Sequence, residues 1–248
     1  MGSTMKDFWF MIPDGCDCKT ESTPLDWLPF SPQSILNDTY LIRSPQNTPK
    51  ELREIAATYK SGFPVIQDTE FDILFLPEGV AGFLGEGEQF NNGDFTMLVA
   101  EHCATHQIVS SIILRFWKKQ RNVEFVAIAT HADYQQSGIG RHMVECADQY
   151  IDACSVEMAF VWAAVEHTVS QRILLDCGFT FRAVVPGFYR IWTGKTAAYR
   201  RTTQVFGQKF YHGAETMRAK AIHLLPEIVE MLQQPLAEYT VQNDEPAQ

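Results

Sequence analysis

The sequence predicts a mixed α+β fold in which a central, mostly antiparallel sheet is flanked by helices. Three observations carry that prediction. Phe95 to His102, Ile108 to Trp117 and Asn122 to Thr130 are β-rich runs joined by short polar turns, the pattern of an antiparallel meander. Directly after them Ile139, Met143, Ala147, Tyr150 and Cys154 recur at helical spacing, with Arg141, Glu145, Asp148 and Asp152 on the other face. Met158 to Val165 is then a continuous apolar run, as expected of a strand buried on both faces.

The other elements follow in chain order. Residues 1–37 mix Pro13, Pro24, Pro29 and Pro32 with Trp9, Trp27 and Phe30, which predicts an N-terminal extension wrapping the body in loops. A domain is expected over 38–212. Thr39 to Arg43 predicts a short strand, and Thr48 caps a helix from Pro49 to about Tyr59, with Pro49 at its first position. From 62 to 94, Phe71 to Leu76 precede Gly79, Gly82, Gly85, Gly87 and Gly93, so short elements separated by loops are expected. Beyond the apolar run, a short helix from about Val169 to Cys177 stops at Gly178. Thr180 to Trp192 predicts a strand interrupted by Pro186-Gly187, and Arg201 to Tyr211 a last strand. Residues 213–248 read as a C-terminal helical extension: a helix from Ala214 to Leu225, another opened by Pro226, and a polar tail from Gln233.

A chain of 248 residues, 46% hydrophobic and 20% charged, has globular composition and is not wholesale disordered. No apolar run approaches the roughly 18 residues of a membrane span. Phe8 to Ile12 is too short for a signal-peptide core and ends at Pro13. Met1-Gly2 is followed by Lys6 where a myristoylation signal wants Ser or Thr. The net charge of −10 argues against a nucleic-acid partner. Of six cysteines, Cys103, Cys146, Cys154 and Cys177 sit in apolar segments and read as free thiols. Cys16-x-Cys18 and His102-Cys103-x-x-His106 lack the Cys-x-x-Cys spacing of a zinc site, so no metal is expected. Free thiols suit a reducing compartment, and a cytoplasmic location is expected.

The chemistry concentrates between Val126 and Met143. A strand passes through a polar turn into a helix whose start reads Gln135-x-x-Gly138-x-Gly140. Glycines there let the backbone approach a ligand, and unpaired amides point outward at the positive end of the helix dipole, so a diphosphate is the natural guest. The dinucleotide fingerprint is excluded, because Met143 stands at its third glycine position.

On these residues the chain resembles the GCN5-related N-acetyltransferase (GNAT) superfamily, whose signature is Arg/Gln-x-x-Gly-x-Gly/Ala after a central strand. Thr130 to Tyr134 fills the strand-exit turn, with Ala132 where proline is common. Gly178-Phe179 matches a second landmark, the end of a short helix, and the order of elements from Phe95 to Trp192 is also the family's. With Thr39 to Tyr59 as first strand and helix, the resemblance covers roughly two thirds of the chain. It implies a partly splayed sheet and acetyl-coenzyme A, or another acyl-coenzyme A, as co-substrate. Following the motif's Gln135, the amides of Gln136, Ser137, Gly138, Ile139, Gly140 and Arg141 would hold the pyrophosphate. Backbone groups of Ile128, Ala129 and Thr130, at a bulge where the central strand parts from the next, would pair with the pantetheine arm. The Arg141 side chain is left with two roles, a phosphate contact or an ion pair with Glu145.

The chain also departs from the family. The tyrosine that in many members protonates the leaving thiolate corresponds to Leu174, and the helix-opening asparagine to His167, with Ser170 after it. A thiol of pKa about 8.5 leaves tolerably near neutral pH, so water can serve, ahead of His167, Cys177 or Tyr189. An ammonium acceptor must lose a proton before attack, and Glu124, on the central strand in phase with Val126, Ile128 and Thr130, is the candidate base. Its competing role is an ion pair with Lys118, Lys119 or Arg121 across the hairpin. His102, His131 and His142 read as solvated or hydrogen-bonded, and Phe160 and Trp162 as core.

The expected function is therefore transfer of an acetyl group to a primary amine, on a small molecule or a protein, by direct attack in a ternary complex. An acyl-coenzyme A-binding regulatory protein that lost its acid at Leu174 is the alternative. Glu78, Glu86, Glu88 and Asp94 suit a cationic acceptor or are merely solvated. The two extensions would form a lid or a homodimer interface.

Overall fold

The computed structural model describes residues 25–86, 94–165, 168–192 and 199–217. Expectations for residues 1–24, for His167 and for everything after Met217 lie outside that set. Eight strands are described: β1 (Gln33–Ile35), β2 (Tyr40–Arg43), β3 (Phe95–His102), β4 (Gln107–Trp117), β5 (Asn122–Thr130), β6 (Met158–Ala164), β7 (Thr180–Trp192) and β8 (Tyr199–Phe210). They form one sheet in the order β1-β2-β3-β4-β5-β6-β8-β7. Every pairing is antiparallel except β5 with β6. The helices are α1 (Pro49–Gly62), α2 (Pro77–Ala81), α3 (Ile139–Ala153) and α4 (Thr168–Asp176), with 3-10 turns between α1 and α2. The fold is the mixed α+β arrangement the sequence predicts.

Local chemistry explains most boundaries. Thr48 caps α1 by accepting the Glu51 amide at 3.3 Å, and Pro49 fills the first turn where no amide is needed. The β5-α3-β6 crossover requires parallel strands, which is why a single parallel pair interrupts the meander. Three elements differ from expectation. Strand β1 lies within the N-terminal extension and pairs with β2, so the extension joins the sheet instead of forming loops alone. Strand β7 continues through Pro186-Gly187, whose extra residues are absorbed by a register shift between Val185 and Tyr189. Strand β6 is not buried on both faces. Ala159, Val161 and Ala163 are buried, while Met158, Phe160, Trp162 and Ala164 are half-exposed on the other side.

The sheet has a core on each face. Toward α3 and α4 lie Leu98, Ile112, Phe116, Val123, Phe125, Val161, Met143 and Leu174. Toward α1 lie Met97, Val99, Ile113, Ala127 and Ala129, packed under Ile55 and Tyr59. Lys209 ties three elements together: its ammonium bonds both oxygens of Asp148 on α3, at 2.8 and 2.7 Å, and the Cys177 carbonyl after α4 at 2.8 Å.

Candidate functional site

Strands β5 and β6 pair only from Asn122 with Met158 to Phe125 with Val161. Beyond that point they part, so the sheet opens into a wedge between Val126–Thr130 and Trp162–Ala164. On its other edge β5 shifts register against β4: Ile113 faces Ala127 and Leu114 faces Phe125, leaving Val126 as the extra residue of a bulge. The bulge, expected at Ile128–Thr130, lies instead at Val126 and reverses the faces of β5. Phe125 packs into the α3 core, whereas Ala127 and Ala129 pack into the α1 core.

The wedge opens at its wide end on the start of α3. The turn from Thr130 is fixed by local bonds: the Gln135 side-chain amide donates to the Thr130 carbonyl at 3.2 Å, and Ser137 Oγ to the Tyr134 carbonyl at 2.5 Å. Ser110 Oγ donates to the Ala129 carbonyl at 2.8 Å and lies 3.0 Å from Thr130 Oγ1. Gln136 has φ +63° and Gly138, the residue before the helix, φ +87°. Two left-handed residues spaced two apart let the backbone turn its amides to one side, as an anion nest requires. A Cβ on Gly138 would meet nothing within 4 Å, so the backbone there faces open space. Ile139 is fully buried and anchors the helix start, while the amides of Ile139 and Gly140 belong to the first turn and have no intrahelical acceptor. The segment from Gln135 to Arg141 thus presents backbone donors with little side-chain obstruction, and this fits a diphosphate. The Arg141 guanidinium is engaged by Asp176 on α4 and approaches Glu145 at 3.9 Å.

Helix α1 buttresses the same turn, which the sequence did not reveal. Ser61 Oγ accepts the Ala132 amide at 3.0 Å. At Gly62 a Cβ would lie 2.1 Å from the Thr130 carbonyl oxygen, so only glycine allows this approach.

Glu124 sits at the narrow end of the wedge, opposite Phe160 of β6 and Arg115 of β4. Because of the bulge it is not in phase with Ile128 and Thr130; it faces the α1 side with Val126. Of the cationic partners proposed for it, Lys118 pairs with Asp26 and Arg121 with Glu157. Its own partner is the Trp117 indole, which donates to Oε2 at 3.3 Å. Burial pushes the Glu124 carboxyl above the usual carboxylate range, against the opposing pulls of that hydrogen bond and of Arg115. The Arg115 guanidinium lies over the Trp117 ring at 4.3 Å.

Other candidates divide clearly. Leu174 is 4% exposed and belongs to the α3-side core. Burial pushes the Cys177 thiol up to about 11 and also raises the Tyr189 hydroxyl, so both keep their protons near neutrality and are weak acids. His102 Nδ1 accepts from Thr105, His131 Nδ1 accepts from the Asp133 amide, and His142 pairs with Glu145. Among the described residues no cluster of three or more His, Cys, Asp or Glu could hold a metal, and no helix is long and apolar enough to cross a membrane. Cys16 and Cys18 lie outside the described residues.

No family model and no curated protein matches the sequence. Solved structures do match. The ribosomal-protein-S5-alanine acetyltransferase from Vibrio fischeri superimposes with a TM-score of 0.59 at 14% identity, over 74% of this chain and 98% of that one. The ribosomal-protein-S18-alanine N-acetyltransferase from Escherichia coli gives 0.53 at 12% identity, over 75% and 99%. A spermidine/spermine N-acetyltransferase from Vibrio cholerae gives 0.53 at 16%, over 70% and 94%. At such identities the likeness is one of fold, and it matches the resemblance carried by Gln135, Gly138, Gly140 and Gly178-Phe179. The chain has the GNAT acetyltransferase fold.

Proposed function

We propose that this protein is an acyl-coenzyme A-dependent N-acyltransferase that moves an acetyl group to a primary amine. One observation carries the reading: the wedge between β5 and β6 runs from Glu124 to an open amide nest at Gly138. The diphosphate of acetyl-coenzyme A occupies the nest from Gln136 to Arg141, and the pantetheine arm lies along Ile128–Thr130, which directs the thioester toward Glu124. There Glu124, directly or through water, takes one proton from the acceptor's ammonium. The freed nitrogen lone pair attacks the thioester carbonyl carbon, and the resulting tetrahedral centre collapses with cleavage of the C–S bond. The nitrogen loses its second proton and the thiolate gains one from water. The products are the amide, free coenzyme A and one proton released overall.

Leu174 in the core favours a second reading, an acyl-coenzyme A-binding regulatory protein. Calorimetry with acetyl-coenzyme A, followed by thiol release on adding amines, separates the two. Tight binding with amine-dependent turnover supports the enzyme; binding without release from any amine overturns it. Absence of binding overturns both readings.

A further inference from the structure

On the α1 side of the sheet, a row of aromatic rings crosses β4, β6, β8 and β7 beside the narrow end of the wedge. Trp162 stacks on Phe188 with centroids 4.6 Å apart and contacts Phe206 at 4.8 Å. Phe160 lies 6.0 Å from Phe206 and 6.4 Å from Trp117. These rings are half-exposed, and Phe188 is 44% exposed. Helix α1 covers β4 and β5 on this side. Half-open stacked rings in a continuous row are costly to leave wet and suited to receive one more ring.

Charge decides what that ring carries. Glu124 is opposite Phe160, and its carboxylate is held by the Trp117 indole at 3.3 Å. At the β7–β8 end, Asp68 accepts from the Tyr199 hydroxyl at 3.0 Å. Of the cations nearby, Arg115 lies over Trp117, Arg190 lies 3.7 Å over Tyr199, and Arg201 donates to the Gly187 carbonyl at 3.0 Å. A polyamine would be matched by several spaced carboxylates along the groove. Here Glu124 stands directly across from Phe160 in the aromatic wall, while Asp68, at the far end, is engaged by Tyr199. Resting on the acyltransferase reading, we infer that the acceptor is a primary amine borne on an aromatic group, its ring seated on Trp162, Phe160 and Phe206 and its ammonium at Glu124.

The test compares phenethylamine with n-hexylamine and spermidine, using the full chain, acetyl-coenzyme A and thiol detection. Phenethylamine binding is also measured by calorimetry without the donor. The expected result is a kcat/KM for phenethylamine roughly tenfold or more above both others, the scale of discrimination an apolar pocket reaches. Trp162→Ala should raise KM for phenethylamine about tenfold and weaken its direct binding equally, while KM for acetyl-coenzyme A holds. Trp162→Phe, which keeps a ring in place, should retain most of both. Turnover that prefers hexylamine or spermidine overturns this inference and leaves the transferase reading standing. Phenethylamine binding that ignores Trp162→Ala overturns the seat. Thiol release from no amine at all overturns the transferase reading, and the acceptor assignment with it.

Discussion

Glu124 is a carboxylate held partly out of water by its own strand pairing, and two predictions follow from its raised pKa. As a base it should matter most where the amine is charged. Glu124→Gln preserves shape, so the rate near neutral pH should fall by roughly 10²-fold, the usual scale for a lost general base. That loss should shrink as pH nears the amine's own pKa. The charged and hydrogen-bonding groups facing it, Arg115 and Trp117 from β4, are untouched by the change. Parallel pH–rate curves offset by a small constant would remove Glu124 from the mechanism. Stability gives an independent readout. A carboxyl that titrates higher folded than unfolded binds more protons in the native state between the two pKa values, so stability falls as pH rises through that window. The glutamine variant lacks this penalty: its melting temperature should equal or exceed wild type at pH 7, and the excess should vanish below about pH 4. Gly138 carries the third residue-scale prediction. At φ +87°, Gly138→Val adds about 1–2 kcal/mol of left-handed strain and fills the open nest. Calorimetry should find acetyl-coenzyme A binding abolished in protein that is still folded; unchanged affinity would misplace the nest.

At the scale of elements, the end of α1 sets the shape of the turn that follows Thr130. Gly62→Ala places a methyl 2.1 Å from a backbone oxygen, and neither side of that contact is a flexible side chain. The helix end must retreat from Thr130, at about 1–3 kcal/mol, the scale of overpacking. Because Ser61 holds the Ala132 amide, the retreat should loosen the nest as well. A drop in melting temperature should therefore accompany weaker acetyl-coenzyme A binding; a lower melting temperature with unchanged affinity would uncouple α1 from the nest. The contact was not legible in the sequence, and the bulge was expected at Ile128–Thr130, not at Val126. Alternation identifies β5 and a 3.6-residue period identifies α3 nearly to their ends, while β3 and β4, buried on both faces, stand out as near-continuous apolar runs. A bulge adds one residue without changing composition, so the face reversal that moves Glu124 out of phase with Ile128 leaves no mark. Strand β6 hid its open face for a related reason. Its half-exposed positions hold Phe160 and Trp162 in place of polar residues, and hydropathy cannot distinguish an aromatic surface from a core.

For the molecule as a whole, the sheet separates two tasks. The α1 face carries Glu124 and the aromatic row, while the α3 face carries a larger core closed by residues 25–36. Trp27 in that segment stacks on Phe116 with centroids 3.5 Å apart, Phe30 meets Tyr150 edge-on at 5.2 Å, and the Tyr150 hydroxyl donates to the Leu28 carbonyl at 2.6 Å. From Gly138 to Tyr150, α3 rises about 18 Å, so this closure stands far from the Gln136–Arg141 turn. Trp27→Ala should therefore cost about 2 kcal/mol through lost burial and stacking, seen as a lower melting temperature, with kcat and KM per folded molecule unchanged. Trp27→Phe sharpens the test. The buried indole nitrogen of Trp27 has no hydrogen-bond partner among the described residues, so phenylalanine keeps a stacked ring and removes an unsatisfied donor. Its cost should stay under about 1 kcal/mol. If both variants lose activity without losing stability, the segment reaches the site by a route other than this stack. If both are equally unstable, the indole itself, and not its stacking on Phe116, holds the extension to the sheet.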